Sequence, residues 1–249
     1  MEPLEYERMA RVEEAHWWYR GMADLVAGLL ARYTATNGTL RLLDAGCGTG
    51  GALAFDLKSL GLAFGCDVSP LALAHCRRRQ LDRTARASVA GLPYPDDTFD
   101  IVTSLDVIYE RAVIDDRMAI REMTRVLRPR GLLLVRAPAH DWLRGQHDAA
   151  THTARRYTLA SLGRRLTDAG LELAHGTYAN ASLFPVVVAK RLLERLVPPA
   201  ATTSDLDWEA GPLNRPLHLL LRAESRIAVR LGLPLGLSVI CVARKADTA

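Results

Sequence analysis

The sequence predicts an α/β fold built on a parallel sheet, and three observations carry that prediction. Short runs of strand composition alternate with helix-like patterns over residues 40 to 138. Glycines crowd the first strand-to-helix turn, at Gly46, Gly48, Gly50 and Gly51. Ser69-Pro70 is a helix-start signal placed directly after the second strand-like run, with Ser69 as N-cap and Pro70 at the first helical position. Strand, helix and strand repeated in this way imply right-handed crossovers between parallel neighbours.

Each element has its own reason. One helix is expected from about Tyr6 to Tyr33, carrying His16-Trp17-Trp18-Tyr19-Arg20. Leu40 to Ala45 is an apolar run ending in glycines, and Gly51 to Leu60 reads as the helix that follows. Leu62 to Val68 is the second strand, and the helix opened by Ser69 runs to about Gln80. Ala85 to Ala90 is a short strand, and Phe99 to Val107 a longer one of β-branched and apolar residues. Ile114 to Leu127 reads as a helix whose apolar face is Ile114, Met118, Ile120, Met123, Val126 and Leu127, stopped by Arg128-Pro129-Arg130-Gly131. Leu132 to Ala137 is a buried strand. Thr158 to Ala169 is helical, Leu171 to Tyr178 a strand, and Ser238 to Lys245 an alternating last strand. Between the last two strands, residues 180 to 232 read as a mostly helical insertion, broken at Pro198-Pro199 and Gly211-Pro212. No linker divides the chain, so a single unit over 1–249 is expected: an N-terminal helical lid (1–39), a ligand-binding core (40–138) and a C-terminal part (139–249).

Composition narrows the class. The chain has 249 residues, with 32 Lys and Arg against 28 Asp and Glu, for a net charge of +4. Only Lys58, Lys190 and Lys245 are lysines; the dominance of arginine with alanine and leucine fits a GC-rich bacterial genome. So small a charge over this length gives no basic stripe, and nucleic acid is not an expected partner. The start Met1-Glu2-Pro3-Leu4-Glu5-Tyr6-Glu7 lacks an apolar core of the signal-peptide kind. Cys47, Cys66, Cys76 and Cys241 show no C-x-x-C spacing, so reduced thiols in a cytoplasmic protein are expected, and no metal site. Leu183 to Val197 is too short and too interrupted by Lys190-Arg191 and Glu194-Arg195 to span a bilayer. Packing or acceptor cover is preferred for it over peripheral membrane contact, because it lacks a sustained basic amphipathic face.

The glycine loop Asp44-Ala45-Gly46-Cys47-Gly48-Thr49-Gly50-Gly51 admits two readings. Gly46-x-Gly48-x-x-Gly51 fits a dinucleotide fingerprint. Asp44-x-Gly46-x-Gly48-x-Gly50 fits the methionine-binding loop of S-adenosylmethionine enzymes. Both want an acidic residue about 20 positions on, and Asp67 supplies it; its two oxygens can accept from both ribose hydroxyls. Asp44 tips the balance, because a carboxylate there repels a pyrophosphate but suits an ammonium and a sulfonium.

Leu92-Pro93-Tyr94-Pro95-Asp96-Asp97-Thr98-Phe99-Asp100, Ser104-Leu105-Asp106-Val107 and Glu122-Met123-Thr124-Arg125-Val126-Leu127-Arg128-Pro129-Arg130-Gly131 follow in order. Together with the glycine loop, this set resembles class I S-adenosylmethionine-dependent methyltransferases of the type 11/type 12 group. The likeness is specific over about 40 to 138 and looser through His16-Trp17-Trp18-Tyr19-Arg20-Gly21 and Arg155-Arg156-Tyr157-Thr158. It implies a Rossmann-like, seven-stranded, mostly parallel sheet with an antiparallel last strand. It also implies S-adenosyl-L-methionine as cofactor and S-adenosyl-L-homocysteine as product. By that resemblance Asp44, Ala45, Gly46, Cys47, Gly48 and Gly50 hold the methionine part, and Asp67 with Val68 the ribose. Ser88 and Val89 flank adenine, and Leu105 and Asp106 lie near the sulfonium. Two departures stand out. Ser88 replaces the acidic residue many relatives place on the adenine amine. Asp106-Val107-Ile108-Tyr109-Glu110 lacks the histidine of the common Asp-Val-Leu-Glu-His run.

Methyl transfer from a sulfonium is an in-line displacement whose leaving group is already good, so the protein has mainly to align and exclude water. Candidates for acid–base work at the strand ends are Tyr109 and His140, with His147, Asp106 and Asp141 nearby in sequence. Trp17, Trp18, Tyr19, Tyr109, His140 and Tyr157 are candidate acceptor contacts, the two tryptophans serving equally as packing anchors. His147, His152 and Arg155-Arg156 suit surface or ion-pair roles, and Arg77-Arg78-Arg79 suits the negative end of its helix. The expected activity is transfer to O or N of a small metabolite, lipid intermediate or peptide, by a monomer or homodimer. An NAD-dependent oxidoreductase and a non-catalytic S-adenosylmethionine-binding partner are the alternatives.

Overall fold

In the computed structural model, residues 3–34, 39–145, 148, 152–196 and 211–247 are described. Seven strands form one sheet in the order β3-β2-β1-β4-β5-β7-β6. They are β1 (Leu40–Ala45), β2 (Gly61–Asp67), β3 (Thr84–Arg86), β4 (Phe99–Leu105), β5 (Leu127–Pro138), β6 (Leu171–Ala179) and β7 (Ser238–Lys245). All pairings through β5 are parallel, while β7 runs antiparallel to both β5 and β6. This is the Rossmann-like arrangement the sequence led us to expect, with the last strand reversed. The helices are α1 (Pro3–Val12), α2 (Trp17–Tyr33), α3 (Pro70–Arg78), α4 (Asp116–Val126), α5 (Leu159–Asp168), α6 (Phe184–Leu196) and α7 (Asn214–Leu231).

Successive strand residues alternate between two cores. Leu43, Val102, Leu133 and Val135 face α4 and α5, joining Ile120, Met123, Leu162 and Leu166. Leu42, Ile101, Leu132 and Leu134 face the other way, joining Leu25 and Leu29 of α2 and Leu221 and Ala228 of α7. The insertion is therefore a structural layer. Gly21 and Gly28 of α2 let α7 come close: a Cβ on Gly21 would lie 2.6 Å from Leu221 Cβ, and one on Gly28 3.0 Å from Val229.

Several boundaries differ from expectation for local reasons. The N-terminal segment is two helices, because the His16 side chain caps α2 by accepting from the Trp18 N–H at 3.3 Å. The Gly51–Leu60 helix is a π-helical turn (Ala52–Asp56) followed by a 3₁₀ turn (Leu57–Ser59), anchored by buried Leu53 and Leu57. The strand expected over Ala85–Ala90 is only Thr84–Arg86. α4 starts at Asp116, because Asp115 Oδ1 accepts from the N–H groups of Arg117 and Met118. Ile114 is thereby left outside the helix and 88% exposed, and Met118 is exposed too, so the apolar face is narrower than the sequence suggested. Arg128–Gly131 do more than stop that helix: β5 already pairs with β4 at Leu127↔Phe99 before a register shift. Pro198-Pro199 lies outside the described residues.

Candidate active site

The strand order reverses between β1 and β4, and ligands in open α/β sheets bind outside the carboxyl ends of strands at such a point. A cavity of about 1360 Å³ opens there. Pockets for one small ligand run to about 300–1,000 Å³, so this one has room for a cofactor and an acceptor together.

The glycine loop forms its floor. The N–H groups of Gly46 and Cys47 both donate to the Cys66 carbonyl, at 2.8 and 2.9 Å. Gly46 has φ +87°, and a Cβ there would overlap the Val107 side chain, so only glycine fits. Asp67 ties the loop to α3: Oδ2 accepts from the Gly48 N–H at 2.9 Å and Oδ1 from the Ser69 N–H at 2.8 Å. Burial raises its pKa against the lowering effect of those two bonds. Asp44 is buried on the cavity wall, with Oδ1 accepting from Thr103 Oγ1 at 2.7 Å. Desolvation pushes its carboxyl up from 3.8 to about 6.

The N-terminal helices roof the cavity. Tyr6, Met9 and Glu13 of α1 and its following turn line it with Trp17, Trp18 and Tyr19. Glu13 accepts from Thr49 Oγ1 at 2.7 Å and pairs with Arg79 at 2.5 Å, which clamps the roof onto the glycine loop. Arg79 thus does more than complement its helix end. Trp17 is buried in the core, so packing and lining coincide in it. Trp18 lies under the Arg136 guanidinium, 5.2 Å from ring centroid to Cζ. Arg136 in turn pairs with Asp106 at 2.6 Å.

The structure gathers most of the residues singled out in the sequence. Asp44, Gly46, Cys47, Gly48, Asp67, Val68, Ser88, Val89, Leu105, Asp106, Trp17, Trp18, Tyr19 and Tyr109 all line the cavity. Four others lie off its wall. Ala45 is buried in the sheet core. Gly50 faces Cys76 of α3 and Leu81 just beyond it: a Cβ would lie 3.0 Å from Cys76 Sγ and 2.6 Å from Leu81. His140 stacks on Tyr178, with centroids 4.9 Å apart, because its φ of +55° turns the ring toward β6. The Tyr157 hydroxyl donates to Asp116 Oδ2 at 2.6 Å, inside the core beside α4. His147 lies outside the described residues. Tyr109 is buried on the cavity wall, and desolvation raises its phenol well above the ordinary value. Arg155 donates to the Val113 and Ile114 carbonyls, and Arg156 pairs with buried Asp148 at 2.8 Å.

Three cavity residues escaped sequence reasoning. Arg136 is the one charged residue in the apolar run Leu132 to Ala137, and it is buried on the cavity wall. Glu110 stands where the common run has its histidine; it is half-buried, no described side chain donates a hydrogen bond to it, and desolvation with Asp67 and Asp106 nearby pushes it up to about 7. Asn180, at the end of β6 with φ +60°, is 1% exposed, and its Oδ1 has no hydrogen-bond partner. Among the described residues no His, Cys, Asp and Glu cluster could hold a metal, and no helix is long and apolar enough to cross a membrane.

Comparison with known proteins agrees with this geometry. A family described as "Methyltransferase domain" matches residues 43–135. A probable S-adenosylmethionine-dependent methyltransferase of Mycolicibacterium smegmatis is 31% identical over 188 residues, covering 73% of this chain and 70% of that protein. The chain belongs to the S-adenosylmethionine-dependent methyltransferases. A second relative so described, from Mycobacterium tuberculosis, is 32% identical over 124 residues, covering 49% of this chain but 43% of its own length. The chain thus spans less than half of that relative. Among solved structures, a Haloferax volcanii methyltransferase in complex with its Trm112 activator shares the fold, with a TM-score of 0.63 at 21% identity over 99% of this chain and 95% of that one. S-adenosylmethionine is the cofactor of this methyltransferase family, and the names of the two mycobacterial relatives specify no acceptor.

Proposed function

We propose that the protein transfers the methyl group of S-adenosylmethionine to oxygen or nitrogen of a small, largely apolar acceptor, a hydrophobic metabolite or lipid intermediate in preference to a peptide. One observation carries the choice of acceptor. Beyond the glycine loop the cavity continues between roof and insertion, where Trp17, Trp18, Leu183, Val186, Val187 and Leu217 supply a largely apolar wall, with Lys190, Arg191 and His218 beside them. A peptide would call for an open groove.

The residues fit the cofactor. Asp67 closes β2 with lone pairs left for ribose hydroxyls, Val68 follows it, and Ser88 and Val89 stand on the adenine side. Gly46 and Gly48 give close backbone approach to the methionine part, and Asp44 faces its cationic end. Leu105 and Asp106 lie across the switch point. When bound, the cofactor supplies a methyl group on a sulfonium with a good leaving group. The protein aligns the acceptor and keeps it dry under α1 and α2. Arg136 fixes Asp106 and, through its stack with Trp18, the roof. Glu110 receives the proton of a hydroxyl or ammonium acceptor, and a carboxyl near 7 is matched to that task. A nicotinamide dinucleotide is not favoured: Asp67 already engages the Gly48 N–H that a pyrophosphate would need, and Asp44 would repel it.

Titration calorimetry with S-adenosylmethionine and S-adenosylhomocysteine tests the reading. Micromolar binding of both is expected. A folded sample that binds neither at high micromolar concentration would overturn it. A tritiated-methyl assay on fractionated extract then reads the acceptor: label in an organic-extractable fraction is expected, and label confined to protein would favour the peptide.

A further inference from the structure

The exterior of α7 carries a pattern that neither the core nor the cavity uses. At 100° per residue, the helix divides into three stripes about a third of the circumference apart. The inner stripe, Leu221, Ser225 and Ala228, is buried. A second stripe is apolar yet exposed: Leu213 just before the helix (53%), Leu220 (44%), Ile227 (50%) and Leu231 (83%). Their spacings of seven, seven and four residues stack them in one line. The third stripe is basic, Arg215, Arg222, Arg226 and Arg230, all exposed, with exposed Leu219 (52%) among them. The only acidic residue on α7 is Glu224, and its carboxylate is occupied by the N–H groups of Ala181 and Ser182, at 3.0 and 2.8 Å. Of the arginines, Arg222 reaches an acid, Asp24, at 4.0 Å.

We propose that this outward face docks on an anionic lipid bilayer, with the leucine and isoleucine line entering the acyl boundary and the arginines binding headgroup phosphates. An apolar line beside a basic one, on a helix held parallel to the protein surface, is the arrangement of an interfacial helix. Arginine stems lie along apolar surface while the guanidinium stays at the polar level, and the guanidinium forks onto phosphate oxygens. Charge decides against a second copy as the occupant, because a two-fold contact through this face would set one row of four arginines against another.

The site of docking borders the cavity. Leu217 and His218 of α7 line it, and so does Val186 of α6, which is 69% exposed and therefore stands at its rim. A bilayer held against α7 brings that rim toward the membrane surface. Docking itself does not depend on the methyltransferase reading, and the experiment below contains no cofactor or acceptor.

The test is co-sedimentation of the full chain with vesicles of phosphatidylcholine alone and of phosphatidylcholine containing one third phosphatidylglycerol, at low and at high salt. Binding at least about tenfold stronger to the anionic vesicles and weakened by salt is expected, each arginine near the surface contributing about fivefold. The double variant L220D/I227D should lose at least about tenfold, and R215Q/R226Q/R230Q on the order of a hundredfold. All five positions are exposed, and matching thermal melts would show that the variants fold. Failure of the wild type to prefer anionic vesicles would overturn the proposal, as would full binding by both variants. A dimer in light scattering that L220D/I227D abolishes would overturn it in favour of a second copy.

Discussion

Replacing Asp44 by asparagine should make the free protein more stable and weaken its hold on the cofactor. The carboxyl is buried, with one hydrogen bond from Thr103, and burial lifts it from 3.8 to about 6. That displacement corresponds to about 3 kcal/mol. Its sign follows from proton binding. Between these two values the folded state holds more protons than the unfolded chain, so this group's contribution to stability falls as pH rises through that window and stays at its most unfavourable above about 6. Asparagine keeps an acceptor for Thr103 and carries no charge. The variant should therefore gain up to about 3 kcal/mol near pH 8, a rise of about 6–12 °C in midpoint for a chain of this size, and much less near pH 4. The assay is thermal unfolding without ligand across that range, paired with calorimetry of S-adenosylhomocysteine. Binding should weaken at least about tenfold, as expected for loss of a charged partner to an ammonium. A variant less stable than wild type near pH 8, or one whose gain is the same near pH 4, would refute the reasoning.

Other outcomes follow from the same geometry. Asp67→Ala removes the acceptor of both the Gly48 and Ser69 N–H groups, and should weaken cofactor binding by on the order of a hundredfold in calorimetry. Glu110→Gln should lower turnover about a hundredfold or more; the wild-type rate should rise with pH through about 7 as the carboxylate forms, and that limb should vanish in the variant. Gly46→Ala forces a side chain onto φ +87° and into Val107, and should cost at least about 1–3 kcal/mol in urea unfolding.

The part of the cavity proposed to hold the cofactor was legible because its signals are local. The turn between β1 and its following helix needs glycine where φ is positive, and Asp67 falls at the end of the next strand whatever the rest of the chain does. Ser69-Pro70 likewise sets its helix start by short-range capping, and that cap is present. The acceptor half was not legible, because its residues are adjacent only after folding. His140 looked like a pocket residue by its distance from a strand end, but a positive φ turned it onto Tyr178. Tyr157 sat in a motif and went to the core, where Asp116 awaited its hydroxyl.

The sequence by itself determined the succession of strands, the glycine loop and the acidic residue at the end of β2, and Asp44 with the motifs that follow pointed to the class of cofactor. These depend on periodicity and turn chemistry within a few residues. Only the tertiary structure decided that Arg136 pairs with Asp106 beneath Trp18, that Glu110 is held near neutrality, and that α7 packs on α2 through Gly21 and Gly28. Each of those joins residues far apart in the chain, and each depends on burial and field, which no local pattern encodes.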